Sequence, residues 1–166
     1  MGLELDYKII IIGESQVGKT TLLNRYIKGK YEQTAPTEVI DNIIKESSIV
    51  VDGQTLKMKT HFWDTAGTEK FKALSAMYYK NVDAVILVYA INDLNSFKEL
   101  ESWENEIKKK MNGSPVVFIL GNKVDLADQQ RAVDLDQIDK FADGRYWQET
   151  SALAENSNID QIMMDL

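Results

Sequence analysis

Two kinds of apolar pattern alternate along the chain. Three runs are apolar nearly throughout, Tyr7–Ile12, Ala84–Ala90 and Val116–Leu120. Unbroken runs of this kind predict parallel strands inside a sheet covered on both faces. Between them, apolar residues recur at three- and four-residue spacing, the period of a helix with one buried face. Leu22, Leu23, Tyr26 and Ile27 mark one helix that stops at Gly29. Phe71, Leu74, Met77 and Tyr78 mark a second over Glu69 to Lys80. Phe97, Leu100, Trp103 and Ile107 mark a third from Ser96 to Lys110, with Ser96 and Glu99 as a capping box and Gly113 and Pro115 beyond its end. Leu135, Ile138 and Phe141 mark a fourth from Asp134 to Ala142, and Gly144 follows. Asn158 reads as the N-cap of a last helix carrying Ile159, Ile162, Met163 and Leu166. Strands alternating with helices predict an α/β fold, a doubly wound and mostly parallel sheet.

One stretch has a different period. Leu56, Met58, Thr60 and Phe62 alternate with Lys57, Lys59, His61 and Trp63, the signature of a strand with one face exposed. Ile43 to Val51 precede it across Asp52-Gly53, a hairpin turn signal. The expectation is one antiparallel edge hairpin on the parallel sheet. His61 falls on the polar alternation and reads as a surface residue, since metal ligands come in clusters.

The first apolar run leads into Gly13-Glu14-Ser15-Gln16-Val17-Gly18-Lys19-Thr20, which fits G-x-x-x-x-G-K-[ST]. Strand, glycine loop and helix in that order give the motif its meaning as a phosphate-binding loop. Backbone N–H groups in such a loop converge on phosphate oxygens, and the helix dipole adds to the attraction. Lys19 would neutralise the β- and γ-phosphates, and the Thr20 hydroxyl would ligate Mg²⁺. Ligands of doubly wound sheets bind at the carboxyl ends of the strands, where this loop sits.

Composition narrows the field. A chain of 166 residues is long enough for one domain with a proper core. A net charge of −7 argues against general nucleic-acid binding and against holding an anionic membrane unaided. The absence of cysteine excludes disulfides, thiol catalysis and cysteine-based zinc sites, and fits a cytoplasmic protein. No apolar run approaches membrane-spanning length, and Met1 to Asp6 lacks a signal peptide's pattern. Asp6 stands where N-myristoylation wants Ser or Thr. The last helix stops at Leu166 in full stride, which reads as a single domain over residues 1–166 cut from a longer protein.

Three further segments follow predicted strands: Asp64-Thr65-Ala66-Gly67, Asn122-Lys123-Val124-Asp125 and Thr150-Ser151-Ala152-Leu153, the last after a short strand at Tyr146 to Gln148. Singly, each is a turn-forming cluster. Together, in this order on this sheet, they resemble the guanine-nucleotide-binding segments of the Ras-like small GTPases, from Tyr7 to Leu166. Trp63, Phe71, the Tyr78-Tyr79 pair and Asn95-Ser96-Phe97 look most like the Rab branch, with Ran next. The chemistry agrees. Guanine presents N1–H beside a 2-amino group, and the Asp125 carboxylate accepts from both, whereas adenine offers an acceptor at N1 and no 2-amino group.

The resemblance implies GTP or GDP with Mg²⁺ as ligands. It places Gly13, Ser15, Gln16, Val17, Gly18, Lys19, Thr20 and Thr21 around the phosphates. It assigns Asn122, Lys123 and Asp125 to the base, with the Ala152 N–H on guanine O6, Ser151 beside it, Tyr31 on one side of the ring and Leu153 where Lys is common. Asp64 would hold Mg²⁺ through a water, and the Gly67 N–H would meet the γ-phosphate. The first switch threonine, which ligates Mg²⁺ only in the triphosphate state, matches best at Pro36-Thr37, with Thr34 second. From Thr37 to Asp64 the chain is about four residues longer than the family's spacing, which suggests a hairpin lengthened on both sides of Asp52-Gly53.

Thr68 stands where relatives carry Gln to orient the attacking water, and its side chain is too short for that task. Lys19, Thr37, Gly67 and Thr68 are thus the catalytic set, with slow intrinsic hydrolysis expected. The resemblance further implies effectors, exchange factors and GTPase-activating proteins at the switch regions and a role in vesicle traffic. Membrane attachment at the cytoplasmic face would come only through a lipidated tail absent from this chain. Two other readings stand beside this one: a GTP-bound scaffold that scarcely hydrolyses, favoured by Thr68, and a P-loop ATPase or kinase, disfavoured by Asp125.

Overall fold

A computed structural model of the chain describes residues 4–32, 41–65 and 78–166. In chain order these form β1 (Glu4–Ile12), α1 (Lys19–Lys28), β2 (Asp41–Val51), β3 (Gln54–Asp64), β4 (Ala84–Ala90), α2 (Leu94–Lys110) and β5 (Val116–Asn122). A 3₁₀ turn at Val124–Leu126 leads to α3 (Ala127–Gln130), α4 (Leu135–Ala142), β6 (Trp147–Glu149) and α5 (Ile159–Asp165). The strands make one sheet in the order β2-β3-β1-β4-β5-β6. Only β2 runs antiparallel, against β3, so the sheet is doubly wound and mostly parallel as the apolar pattern predicts.

Alternate residues of the central strands feed two separate cores. Ile10, Ile12, Val85, Leu87 and Tyr89 point to one face, where they meet Leu100, Trp103 and Ile107 of α2 and Ile138 of α4. Ile9, Ile11, Ile86 and Val88 point to the other, against Leu22 and Leu23 of α1 and Ile159, Ile162 and Met163 of α5. Burial on both faces is why β4 reads as seven consecutive apolar residues. β1 is longer than its apolar run. Its first half pairs only with β3, alternates between exposed and half-buried, and becomes fully buried from Ile9, where β4 joins it.

The hairpin pairs without a bulge from Asp41 opposite Asp64 to Val51 opposite Gln54. Its two-residue loop, Asp52-Gly53, has both residues at positive φ, as such a turn requires. The described part of β1 begins opposite Lys57, so the tip from Ile49 to Leu56 projects beyond it. His61 is only half-buried and pairs with Asp6 at 3.1 Å.

Several local expectations differ from the structure. Asp93, not Ser96, caps α2: its carboxylate accepts from the N–H groups of Asn95 and Ser96 at 3.0 and 3.2 Å. The Ser96 hydroxyl is buried instead, accepting from Ala90 N at 3.0 Å and donating to Asp93 O at 2.7 Å. Leu135 stands at the start of α4 and is 53% exposed, while Ile138 carries that helix's burial. The helix expected from Glu69 to Lys80 falls largely outside the described residues, and Tyr78 to Asn81 form a turn. Asn81, just past the expected end, takes a left-handed φ of 54°. The short sixth strand lies one residue later than predicted, and Asn158 precedes α5 without capping it, donating instead to Glu149 O at 3.1 Å. No helix among the described residues is long and apolar enough to cross a membrane.

Candidate functional site

The site is built where β1, β3, β4 and β5 end. β1 ends at Ile12, and the chain must turn at once to start α1 at Lys19. Gly13 makes the turn because nothing larger fits: a Cβ there would lie 2.1 Å from the Val88 carbonyl oxygen. Gly18 is held at φ 95°, and its Cβ would fall 2.3 Å from Nδ2 of Asn122. Gln16 adopts a left-handed φ of 67°, an uncommon conformation for a residue with a side chain. Ser15 and Gln16 are exposed at the loop's crest, and Val17 is buried against the α1 core.

Lys19 folds back into this loop. Its ammonium donates to the carbonyls of Gly13 and Glu14 at 2.9 and 2.8 Å, and the residue is only 4% exposed. Burial lowers its pKa to about 8, and the carboxylates of Asp64 and Glu14 oppose that shift. The cation is therefore pre-positioned at the first turn of α1, short of a strong anionic partner. Thr20, the next residue, donates from Oγ1 to Oδ2 of Asp64 at 2.5 Å. Asp64 ends β3 and is 1% exposed, and Thr65 beside it donates from Oγ1 to Ile11 O at 2.6 Å. Thr21 is half-buried in the same first turn.

A hydroxyl and a carboxylate at this separation, with no nitrogen or sulfur between them, suit a small hard cation that takes oxygen ligands. The described residues contain no group of three His, Cys, Asp or Glu that could cage a metal alone.

The second half of the site stands at the end of β5. Asn122 is 2% exposed, donates from Nδ2 to the Val17 carbonyl at 2.8 Å and accepts at Oδ1 from the Ala152 N–H at 3.2 Å. One side chain thus joins the phosphate loop, β5 and the loop after β6. Lys123 takes a left-handed φ of 70° and turns the chain so that Asp125 emerges exposed. Ser151 donates to Oδ1 of Asp125 at 2.5 Å and accepts from the N–H groups of Leu153 and Ala154 at 3.1 and 3.0 Å. The carboxylate is oriented, and the loop behind it is fixed. Tyr31, beyond the end of α1, and Leu153 are both exposed.

Gly13, Ser15, Gln16, Val17, Gly18, Lys19, Thr20, Asp64, Asn122, Lys123, Asp125, Ser151 and Ala152 are all carried by loops, strand ends and the first turn of α1 on this side of the sheet. Thr34, Thr37, Gly67 and Thr68 lie outside the described residues. Three participants escape a sequence reading. Glu14 occupies a variable position of the loop motif, yet its Oε1 accepts from Trp103 Nε1 at 2.9 Å across 89 residues. Trp103 reads as core because it sits on the apolar face of α2. Arg25, an ordinary polar position of α1, donates to Ala154 O and Glu155 O at 3.2 and 2.9 Å and braces the loop after β6.

Comparison with known proteins agrees with this geometry. A model of the Ras family matches residues 8–166. The human Ras-related protein Rab-30 is 34% identical over 163 residues, which cover 96% of this chain and 77% of that protein. The bovine Ras-related protein Rab-21 is 32% identical over 167 residues, covering 99% of this chain and 73% of that one.

Proposed function

The chain belongs to the Ras family of small GTPases, in its Rab branch, and from that premise we propose that it is a Mg²⁺-dependent, guanine-specific switch with slow intrinsic GTP hydrolysis. The observation that supports this most is the pair of hydrogen bonds that Asn122 makes with Val17 and Ala152, because it ties a phosphate loop to a base-reading loop. A nucleoside polyphosphate spans such a pair of sites, and an isolated phosphate does not.

In this reading the loop's N–H groups and Lys19 hold the β- and γ-phosphates. Lys19 then exchanges two carbonyl partners for anionic ones, which favours its protonated form. Thr20 and Asp64 would hold Mg²⁺, Asp64 through a water, and the ion when bound neutralises charge on the phosphates. Asp125 accepts from guanine N1–H and the 2-amino group, and the Ala152 N–H, Lys123, Tyr31 and Leu153 surround the base. Thr37 and the Gly67 N–H would order around the γ-phosphate and relax after hydrolysis, which gives effectors, exchange factors and activating proteins two surfaces to tell apart. Regulation of vesicle traffic is the cellular role this implies, with any membrane attachment supplied by a lipidated tail beyond Leu166. The domain spans the whole chain.

Thr68 sets the rate. Catalysis in this class rests on positioning and charge stabilisation, so a residue too short to hold the attacking water slows turnover and leaves binding intact. Single-turnover hydrolysis at saturating Mg²⁺ tests this. Thr68→Gln should accelerate it at least about tenfold, equivalent to about 1.4 kcal/mol of barrier. No acceleration would refute the assignment of slow hydrolysis to Thr68. The other reading favoured by Thr68, a GTP-bound scaffold, predicts purified protein loaded mainly with GTP, and mainly GDP would count against it.

A further inference from the structure

The phosphate loop carries a negative charge of its own. Glu14 stands beside Gly13, and its backbone carbonyl is one of the two that receive Lys19. Turned towards the bound phosphates, the carboxylate of this residue would repel a polyphosphate in the same loop. The side chain is instead drawn to the opposite face of the sheet. Val17, Leu22 and Leu23 follow the loop into the core beneath α1, whereas the Glu14 carboxylate accepts from the indole N–H of Trp103, in the core beneath α2. Trp103 is 1% exposed, so this donor is fixed by packing and has little freedom to follow the loop.

A buried indole N–H needs an acceptor, and satisfying it is one result of the bond. Any neutral oxygen would meet that need. The acceptor here is the one charged group of the loop motif whose sign opposes phosphate binding. We propose that Trp103 is a positioning residue for the phosphate loop: its indole N–H holds the Glu14 carboxylate on the α2 side, away from the phosphates bound at Lys19 and Thr20. The inference rests on the guanine-nucleotide reading above. It makes α2, which contributes no ligand, a determinant of how long nucleotide stays bound.

A charge comparison separates this role from simple packing. Trp103→Phe keeps an aromatic ring and removes the N–H, freeing the carboxylate. Glu14→Gln keeps an acceptor for the indole and removes the charge. Dissociation of a fluorescent GDP analogue in the presence of Mg²⁺ is followed for the wild type, both single variants and the double variant. We expect Trp103→Phe to accelerate release about tenfold when position 14 is Glu and to change it little when position 14 is Gln. Added salt should also slow release from Trp103→Phe more than from the double variant, since the repulsion is screened.

Equal acceleration by Trp103→Phe in both backgrounds would overturn the proposal, because a packing defect does not depend on the charge at position 14. Unchanged release by Trp103→Phe would overturn it too. If Trp103→Phe does not fold, Glu14→Asp withdraws the carboxylate from the indole's reach with the core intact. Release from it faster than from Glu14→Gln supports the proposal, and equal release contradicts it. A wild-type protein that does not bind the analogue at all contradicts the guanine-nucleotide reading, a distinct result.

Discussion

Asn122 Nδ2 donates to the Val17 carbonyl at 2.8 Å, joining the two halves of the site across 105 residues of sequence. The same amide accepts from Ala152 N–H, and both partners are buried. Asn122→Ala therefore orphans a carbonyl and an N–H at once, a loss of about 2–6 kcal/mol on a penalty of about 1–3 kcal/mol for each unsatisfied group. Nucleotide dissociation should accelerate by about 100-fold or more, and the thermal midpoint should fall in the nucleotide-free protein as well. Asn122→Asp should do as badly, because a carboxylate cannot donate to Val17.

Gly13 is confined by the backbone of Val88. The clash of a Cβ with the Val88 carbonyl oxygen at 2.1 Å involves a rigid strand of the central sheet, so no side chain can swing aside. Gly13→Ala should destabilise the fold by about 3 kcal/mol or more, in the range of severe core strain. Chemical denaturation measures this directly. Gly29→Ala, at a helix end with open space around it, should cost about 1 kcal/mol through its left-handed φ alone.

Asp125 accepts from Ser151 and presents its carboxylate at the surface of the base-side loop. Inosine triphosphate keeps guanine's N1–H and O6 but lacks the 2-amino group. Wild-type protein should bind it about tenfold or more weaker than GTP, for one charge-assisted hydrogen bond lost at about 1.5–3 kcal/mol. In Asp125→Ala that preference should fall to near unity, with both affinities reduced. Competition against a fluorescent guanine nucleotide reads both numbers.

Lys19 gives binding a pH dependence with a definite sign. Burial puts its folded-state pKa at about 8, below the ordinary 10.5. Phosphate oxygens favour the charged amine, so binding takes up a proton wherever the free protein has lost it. Affinity should be insensitive to this group below pH 8 and should fall as pH rises above it. Titration calorimetry at pH 8.5 in two buffers of different ionisation heat should show uptake of about half to one proton. Zero uptake would mean that Lys19 is fully charged before nucleotide arrives.

The layers of the fold were legible because burial leaves its period in the sequence. β4 shows this in seven apolar residues, and α1 ends where Gly29 allows a left-handed φ of 70°. What failed was local competition between equally good signals. Ser96 with Glu99 has the spacing of a capping box, but the Asp93 carboxylate caps the helix one turn earlier, through the N–H groups of Asn95 and Ser96. Leu135 has helical spacing with Ile138, yet it lies at the exposed start of α4. The phosphate loop, Asp64 and the Asn122 segment announce themselves by residue type. The Glu14–Trp103 and Arg25–Glu155 bonds do not, since each joins two unremarkable positions that only the folded chain brings together.

Displacement of a bound fluorescent GDP analogue measures most directly the guanine selectivity of a site that begins as a phosphate loop. With Mg²⁺ present, excess unlabelled GTP or GDP should displace the analogue completely, while ATP at the same excess leaves it bound. Displacement by ATP as readily as by GTP would contradict guanine selectivity, because adenine offers the Asp125 carboxylate an acceptor at N1 and no 2-amino group.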